Sequence, residues 1–388
     1  MADLKSCGWR HAVGIGTNDI REENNVRYLG SHYCRQDASR WERRNLEKLL
    51  EFAPMATDCW IVTDGARGNE KQCQALAHYL AQIGAIENQP PSRFRLALAQ
   101  PWSALAPRLS WRAPSAYRAA ANADADCTDI ARLTQHPAPR LLISCGRRAA
   151  LVARVLKKTA GSMLTTVQIL NPRIPPQHFD WVVCPRHDLL SGSNVITTEG
   201  ALHNVDDESL ETARTQWSEL ASLQSPRIAV LVGASNGAYQ IDQAYLERLL
   251  SGASTLTGRG TMMVTTSRRT PPELQNFVRH WLTKHYPERF LFHADQPGLA
   301  NPYPGFLAYA ERIVVSSDSV NMISEALGTG RPVHCLTVST ENQRFSRFQK
   351  ALVDSGRLLS LDDPSRSNYP PMRETLGVAR TIASSLGS

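Results

Sequence analysis

Short runs of β-branched and apolar residues alternate with turns and helix-period segments along the chain from residue 58. Strands separated by helices of about 10–15 residues are typical of βαβ units, in which helices cover a parallel sheet on both faces. The first set of predicted strands is 59–63, 95–99, 141–145, 166–170, 181–184 and 195–198. After residue 226 the pattern begins again, with strands predicted at 228–232, 262–266, 290–292, 313–316 and 333–336. The sequence therefore predicts an α/β protein of two doubly wound, Rossmann-like domains that face each other across a cleft.

A length of 388 residues suits two domains of ordinary size. We expect an N-terminal extension over 1–57, partly disordered or helical, and Rossmann-like domains over 58–205 and 220–375. A C-terminal helix or tail follows over 376–388. The region 101–139 is irregular because five prolines interrupt it, and its tryptophans and tyrosine lie among arginines. This mixture predicts either contact with an anionic membrane surface or an irregular surface insertion.

Composition excludes several classes of protein. Hydrophobic residues make up 42% of the chain and charged residues 20%, which excludes a wholly disordered or fibrous protein. The apolar runs are too short to span a membrane, and no secretory signal is evident. Eight scattered cysteines, without metal-ligand spacing, predict a reduced cytoplasmic chain with no metal and no cofactor. The net charge of +7 favours an acidic partner, and no specific nucleic-acid binding is expected.

Ligands of open parallel sheets bind at the carboxyl ends of the strands, so the turns that follow the strands are the candidate sites. The first turn contains Asp64, followed by two glycines before the next helix. Glycines let a ligand approach the backbone closely, and the helix N-terminus favours an anion. Asp64 itself is either a general base or a turn residue.

The loop after the strand 228–232 contains Gly233, Ser235, Asn236 and Gly237. Its spacing fits the G-x-S-x-G nucleophile elbow of a hydrolase, with Ser235 as nucleophile and Asp318 and His334 as the other triad members. The alternative is a loop whose backbone N–H groups and hydroxyl bind a phosphate. The turn after the next strand contains Ser267, Arg268 and Arg269. Guanidinium groups next to hydroxyls suit a diphosphate, because arginine binds phosphate oxygens in bidentate fashion.

A polar helix is predicted over 319–327, with Asp318 or Ser317 as its N-cap. Asp318, Asn321 and Glu325 are spaced to share one face of this helix. A carboxylate on that face could bind the vicinal diol of a ribose, while the helix N-terminus binds a phosphate.

Several motifs together resemble one family, the mitochondrial-fission family named "elongated mitochondria", which is also common in bacteria. They are T-D-G-A-R-G-N-E-K-Q, I-S-C-G-R-R-A-A, F-D-W-V-V-C-P-R-H-D, T-T-S-R-R-T-P-P, N-P-Y and D-S-V-N-M-I-S-E-A. The last motif and V-L-V-G-A-S-N-G-A also resemble the nucleotide-sugar segments of GT-B glycosyltransferases. The resemblance covers about residues 58–375.

The resemblance implies a GT-B-like fold that binds a nucleoside-diphosphate sugar in the second domain and an acceptor in the first. Glu325 would hold the ribose of the donor, and the loop 233–237, Arg268 and Ser319 would hold its diphosphate. The acceptor would be a glycan or a lipid-linked molecule of the cell envelope, reached by a protein that is peripheral at the inner face of the membrane.

An inverting transfer also needs a general base on the first domain. Asp64 is one candidate, and His187 with Asp188 is the other. A non-catalytic interaction protein that retains the fold is the alternative function, and the Ser235 hydrolase is a third.

Overall fold

The computed structural model describes residues 58–96, 139–294, 300–337, 342–365 and 369–386, and the elements below are numbered within these residues. They form two six-stranded sheets, ordered β2-β1-β3-β4-β5-β6 and β12-β11-β10-β7-β8-β9. Every pair of neighbouring strands is parallel. The predicted fold class, two doubly wound α/β sheets, is confirmed.

The first sheet is assembled from the part of the chain before residue 200. Its strands are β1 (Cys59–Thr63), β2 (Ser92–Arg95), β3 (Leu141–Cys145), β4 (Thr165–Ile169), β5 (Trp181–Pro185) and β6 (Val195–Thr198). Its helices are α1 (Arg67–Gln82) and α2 (Arg147–Ala160), with short 3-10 helices at Gly161–Met163, Pro176–His178 and Arg186–Asp188.

The second sheet follows a connecting helix, α3 (Asp207–Gln216), and a 3-10 helix at Ser218–Ser222. Its strands are β7 (Arg227–Val232), β8 (Thr261–Thr266), β9 (Phe290–Ala294), β10 (Arg312–Ser316), β11 (Val333–Leu336) and β12 (Leu358–Ser360). Its helices are α4 (Gln243–Thr257), α5 (Pro272–His285), α6 (Tyr303–Tyr309), α7 (Val320–Gly328) and α8 (Gln343–Asp354), and the described chain ends in α9 (Thr375–Leu386). None of the helices in the described ranges has the length and apolarity needed to cross a membrane.

Both faces of each sheet are buried, as the continuous apolar runs predict. In β1, Ile61 packs into one apolar cluster, while its neighbours Trp60 and Val62 pack into another. Since successive side chains of a strand point to opposite faces, the two clusters lie on opposite sides of the sheet. Ligands can therefore reach a sheet only at its edges.

The predicted elements differ from the structure at several places, and strand β12 was not predicted. The strand expected at 95–99 lies earlier, at β2, where Phe94 is buried against Trp60 with ring centroids 4.9 Å apart; residues 97–99 lie outside the described ranges. The helix expected over 207–223 breaks at Trp217, which packs against the second core. Its predicted N-cap is confirmed, because the Asp206 side chain accepts a hydrogen bond from the backbone N–H of Ser209.

The two sheets meet at the carboxyl ends of their strands. Helix α1, which follows β1, approaches α7, which follows β10, so closely that a Cβ atom on Gly68 would lie 2.1 Å from Nδ2 of Asn321. The Gln72 amide donates a hydrogen bond to Oδ1 of Asn321 at 3.3 Å. The predicted arrangement, two sheets facing each other across a cleft, is therefore observed.

Helix α9 returns from the second sheet to the first. Its residues Val378, Ala379 and Ile382 are buried in the same cluster as Leu76 and Leu80 of α1. The last helix therefore completes the core of the first sheet.

Ile382→Ala should lower the free energy of unfolding by about 2–5 kcal/mol, because it opens a cavity in the first core. Guanidinium unfolding measures the change. Arg380→Ala, on the exposed side of the same helix, should change stability by less than about 0.5 kcal/mol. Equal effects of the two substitutions would show that α9 does not contribute to this core.

Candidate functional site

The loop after β7 is positioned by hydrogen bonds to the buried carboxylate of Asp318 and to its neighbour Ser316. The backbone N–H of Ala234 donates to Oδ2 of Asp318 at 3.1 Å, and that of Gly233 donates to Oγ of Ser316 at 2.8 Å. Ser316 in turn donates to Oδ1 of Asp318 at 2.6 Å. Burial raises the pKa of Asp318, and the hydrogen bonds from Ser316 and Ala234 oppose this effect. Asp318 is thus a structural anchor of the loop.

The side chains of Ser235 and Asn236 form hydrogen bonds within the loop and to the end of β10. Oγ of Ser235 accepts a hydrogen bond from the backbone N–H of Ile241 at 2.9 Å and donates to its carbonyl at 3.2 Å. The Asn236 amide donates to the carbonyl of Asp318 at 3.0 Å, and its oxygen accepts from the backbone N–H of Tyr239 at 3.1 Å. These bonds fix the backbone of the loop beside the end of β10.

The turn after β8 is bonded to the same loop. Thr270 donates from its hydroxyl to the carbonyl of Gly233 at 2.7 Å, and its Oγ1 lies 3.2 Å from Oγ of Ser267. Arg268 and Arg269 are exposed between these two residues. The predicted glycine loop and the predicted arginine turn therefore form one continuous, positively charged edge.

The cap of α7 differs from the prediction. Ser319 is the N-cap, and its hydroxyl accepts a hydrogen bond from the backbone N–H of Met322 at 3.3 Å. The expectation that Asp318 or Ser317 would cap the helix is wrong, because each has another partner. Asp318 holds the glycine loop, and the Ser317 hydroxyl lies 3.2 Å from that of Tyr245.

Asp318 also does not share a helix face with Asn321 and Glu325, since it precedes the helix. Asn321 faces α1, whereas Glu325 lies one turn further along and is buried, with 6% of its surface exposed. Oε1 of Glu325 lies 2.8 Å from Nζ of Lys71, and its Oε2 accepts a hydrogen bond from the Tyr303 hydroxyl at 2.5 Å. Glu325, the residue predicted to bind a ribose, is thus bonded to Lys71 of helix α1, which packs on the first sheet.

Burial alone would raise the pKa of Glu325, but the Lys71 ammonium and the Tyr303 hydroxyl outweigh it and lower the pKa below its usual value. Burial and the Glu325 carboxylate raise the pKa of Tyr303. Neither partner was predicted from the sequence, although Lys71 lies in the motif T-D-G-A-R-G-N-E-K-Q and Tyr303 in the motif N-P-Y.

Asp64 lies at the end of β1, on the edge of the first sheet that faces α7. Its Oδ1 accepts hydrogen bonds from the side-chain amide of Asn69 at 3.0 Å and from the backbone N–H of Ala66 at 3.3 Å. The same Asn69 amide lies close to Gly146, after β3, where an added Cβ would be 3.0 Å away. Asp64 therefore organises the turn, and it lies at the edge where a ligand would bind.

His187 and Asp188 make contacts to the second sheet's helix α8. Asp188 forms an ion pair with Arg344, and the Arg347 guanidinium donates to the carbonyl of His187 at 3.0 and 3.2 Å. The imidazole packs against Phe348, with ring centroids 5.0 Å apart. Burial, together with Arg344 and Arg347, lowers the pKa of His187 to about 4, against the opposing effect of Asp188. The ring is neutral at pH 7.

The residues of the expected hydrolase triad do not come together. The ring nitrogens of His334 lie 3.3 Å from the Arg312 guanidinium and 3.0 Å from the carbonyl of Ser360, and Ser235 is bonded to Ile241. His334 lies in the first half of β11, whereas Ser235 follows the far end of β7. The prediction of a Ser235 hydrolase is therefore wrong.

No group of three or more His, Cys, Asp or Glu side chains in the described ranges could hold a metal ion. The features that remain at the facing edges are a glycine loop, paired arginines, a capped helix and two carboxylates, Asp64 and Glu325.

Two doubly wound sheets whose carboxyl edges face each other, with the last helix crossing back to the first core, define a GT-B-like protein. Residues 67–386 match the family described as Mitochondrial fission ELM1, and the chain belongs to this family.

Two relatives illustrate the spread of sequence. The chain is 31% identical over 293 residues to mitochondrial fission protein ELM1 of Arabidopsis thaliana, covering 67% of each chain. It is 23% identical over 288 residues to the uncharacterized protein RP120 of Rickettsia prowazekii, covering 63% of this chain and 79% of the relative.

Several solved structures are similar to this chain at low sequence identity. UDP-GlcNAc 2-epimerase from Neisseria meningitidis is 12% identical, with a TM-score of 0.48, over 84% of this chain and 99% of that chain. MurG from Acinetobacter baumannii is 12% identical, with a TM-score of 0.43, over 84% and 94%. Os79 from O. sativa in complex with UDP is 14% identical, with a TM-score of 0.43, over 84% and 94%. Similarity at this level concerns the fold and not the ligand.

Gly233→Ala should lower the free energy of unfolding by about 1–3 kcal/mol, because the added methyl group must displace a packed neighbour. A Cβ at this position would lie 2.1 Å from both carboxylate oxygens of Asp318. Gly237→Ala is the matched control, since no atom lies within 4 Å of its Cβ position. Thermal unfolding compares the two variants, and an unchanged Gly233→Ala would mean that the loop does not rest on Asp318.

Proposed function

We propose that the protein binds a nucleoside-diphosphate sugar at the facing edges of its two sheets and transfers the sugar to a glycan or lipid-linked acceptor. The observation that carries the proposal is the hydrogen bond between the Thr270 hydroxyl and the carbonyl of Gly233. It joins the loop 233–237, where glycines could let a ligand approach the backbone closely, to a turn that presents two exposed arginines. A loop and cations at one strand edge suit a pyrophosphate.

In this proposal the diphosphate contacts the second sheet. The loop 233–237 approaches it through the backbone N–H groups of Ser235 and Gly237. Those of Gly233 and Asn236 already have partners, as do the side chains of Ser235 and Asn236. The side chains of Ser267, Arg268, Arg269 and Ser319 supply hydrogen bonds and charge. The N-terminus of α7 adds its unpaired N–H groups to the same anion.

The ribose would bind Glu325, with Asn321 beside it. An ionised carboxylate can accept about four hydrogen bonds, and Glu325 uses one from Lys71 and one from Tyr303. The remaining lone pairs are available to a vicinal diol. Because Lys71 belongs to the first sheet, a small separation of the sheets would expose the carboxylate to the donor.

We assign the general base to Asp64 rather than to His187 or Asp188. A base with a pKa near 4 accepts a proton weakly at pH 7, which disfavours His187. The Asp188 side chain is 2% exposed and is paired with Arg344. Asp64 is partly exposed at a strand end, which suits contact with an acceptor hydroxyl.

In this proposal the protein also makes a peripheral contact with an anionic membrane; residues 101–138 of the irregular region, which would make that contact, lie outside the described ranges. The alternative is a non-catalytic interaction protein. Membership of a family described by mitochondrial fission favours it, because fission does not in itself require sugar transfer.

Isothermal titration calorimetry with UDP, GDP and CDP tests the donor site. We expect at least one nucleotide to bind, and Arg269→Gln to weaken it by about tenfold or more, the scale of a lost charge-assisted hydrogen bond. Arg259→Gln is the control, because Arg259 is exposed and precedes the opposite end of β8. Absence of binding by all three nucleotides would contradict the proposed donor site.

Asp64→Asn should lower kcat for sugar transfer by about 100-fold or more, the usual contribution of a general base, with nucleotide affinity retained. Asp58→Asn, at the other end of β1 and paired with Arg140, should keep its turnover. Full activity of Asp64→Asn would reject this base. Nucleotide binding without transfer to any glycan or lipid acceptor would favour the interaction protein.

A further inference from the structure

We propose that a pocket between the 3-10 helix Arg186–Asp188 and helix α8 binds an anion that carries a hydrocarbon chain. The pocket has a volume of about 360 Å³, within the range of roughly 300–1,000 Å³ that is usual for small-molecule sites. One wall belongs to the first sheet's half of the molecule and the other to the second's. It is separate from the edge assigned to the nucleotide.

The body of the pocket is apolar. Phe348 and Leu352 are buried on the α8 side, with Ala351 between them. Leu189 faces them from the other wall, and at 72% exposure it is the most exposed large apolar side chain among the described residues. Its φ of +53° is a conformation that leucine rarely adopts. A hydrocarbon chain lying here would cover this side chain and recover the free energy of its burial.

The charges around the pocket leave an excess of cations. Its two acidic residues are neutralised, since Glu199 is paired with Arg357, and Asp354 lies 3.1 Å from Lys350. Arg186 lines the same pocket and is exposed.

Arg347 also lines the pocket, and its recorded hydrogen bonds go to the neutral carbonyl of His187. Two guanidinium groups therefore remain to attract an anionic head group.

His187 supplies a second, independent indication of a ligand. His187 is one of the residues that line the pocket, it is 7% exposed, and its Nδ1 is buried without a hydrogen-bond partner within the described ranges. A buried polar nitrogen without a partner destabilises the protein, because it has lost its bonds to water. A neutral imidazole can donate one hydrogen bond, and a carboxylate or phosphate oxygen would accept it.

Decanoate tests the site, with decanol and acetate as matched ligands that lack the charge or the chain. The protein without nucleotide is titrated by calorimetry, so the result is independent of the proposed donor site. We expect decanoate to bind at least about tenfold more tightly than either control, because only decanoate engages both the apolar wall and the guanidinium groups.

Ala351→Trp should abolish decanoate binding, because the indole fills the pocket. Ser346→Trp, on an exposed position of the same helix that does not line the pocket, should bind normally. Arg186→Gln should weaken the binding of decanoate by about five- to tenfold and leave that of decanol unchanged.

Phosphatidylglycerol vesicles distinguish a membrane lipid from a free acid as the source of the ligand. Co-sedimentation that is lost in Ala351→Trp assigns a membrane lipid, and any other sedimentation result assigns a free acid. Absence of decanoate binding, binding that survives Ala351→Trp, or equally tight binding of decanol would overturn the proposal.

Discussion

A parallel sheet covered by helices on both faces leaves only its two edges to solvent, and this constraint determines where function can lie in the molecule. The strands β1 and β7 are buried on both sides, so their side chains cannot reach a ligand. Chemistry is confined to the turns that follow them, where backbone groups are no longer used by the sheet. Asp64, Gly233 and Ser267 each occupy the first position or two after such a strand.

The facing edges are held together by residues that also form the proposed site. The side chain of Lys71 is 42% exposed and that of Glu325 is 8% exposed, so their ion pair combines a solvated cation with a desolvated carboxylate. Such a carboxylate is costly to leave without a partner, and separating the two sheets would do so unless another group replaced Lys71. A donor whose hydroxyls bind Glu325 would lower that cost. Domain opening and ligand binding would then be coupled through one carboxylate.

Local patterns in the sequence predicted most of the strands, the turns that follow them and the capping by Asp206, because these depend on neighbouring residues. They misplaced β2 and missed the edge strand β12. The roles of Asp318 and Glu325 depend on distant ones. Spacing along a helix placed both carboxylates on one face, but Asp318 turns to the loop after β7 and Glu325 to Lys71, 254 positions earlier in the chain. The order of the strands determines these contacts, and no local pattern contains that order. Ser235 fitted a nucleophile elbow by spacing alone, but its hydroxyl accepts a hydrogen bond from the backbone of Ile241 and so stabilises the loop.

The interface between the two halves differs in polarity between the end of β1 and the end of β5. This difference is why Asp64 rather than His187 is proposed as the base of the transfer. At the β1 end, Asp64 and Asn69 form a polar turn open to the edge of the sheet. At the end of β5, Asp188 forms an ion pair with Arg344, and the His187 ring is buried in contact with Phe348. Desolvation makes an imidazole a poorer base, but it strengthens a hydrogen bond that the ring donates to an anion. The same burial that makes His187 a poor proton acceptor therefore suits it to binding an anion, and in the proposed transfer the more solvated Asp64 carboxylate would accept the proton.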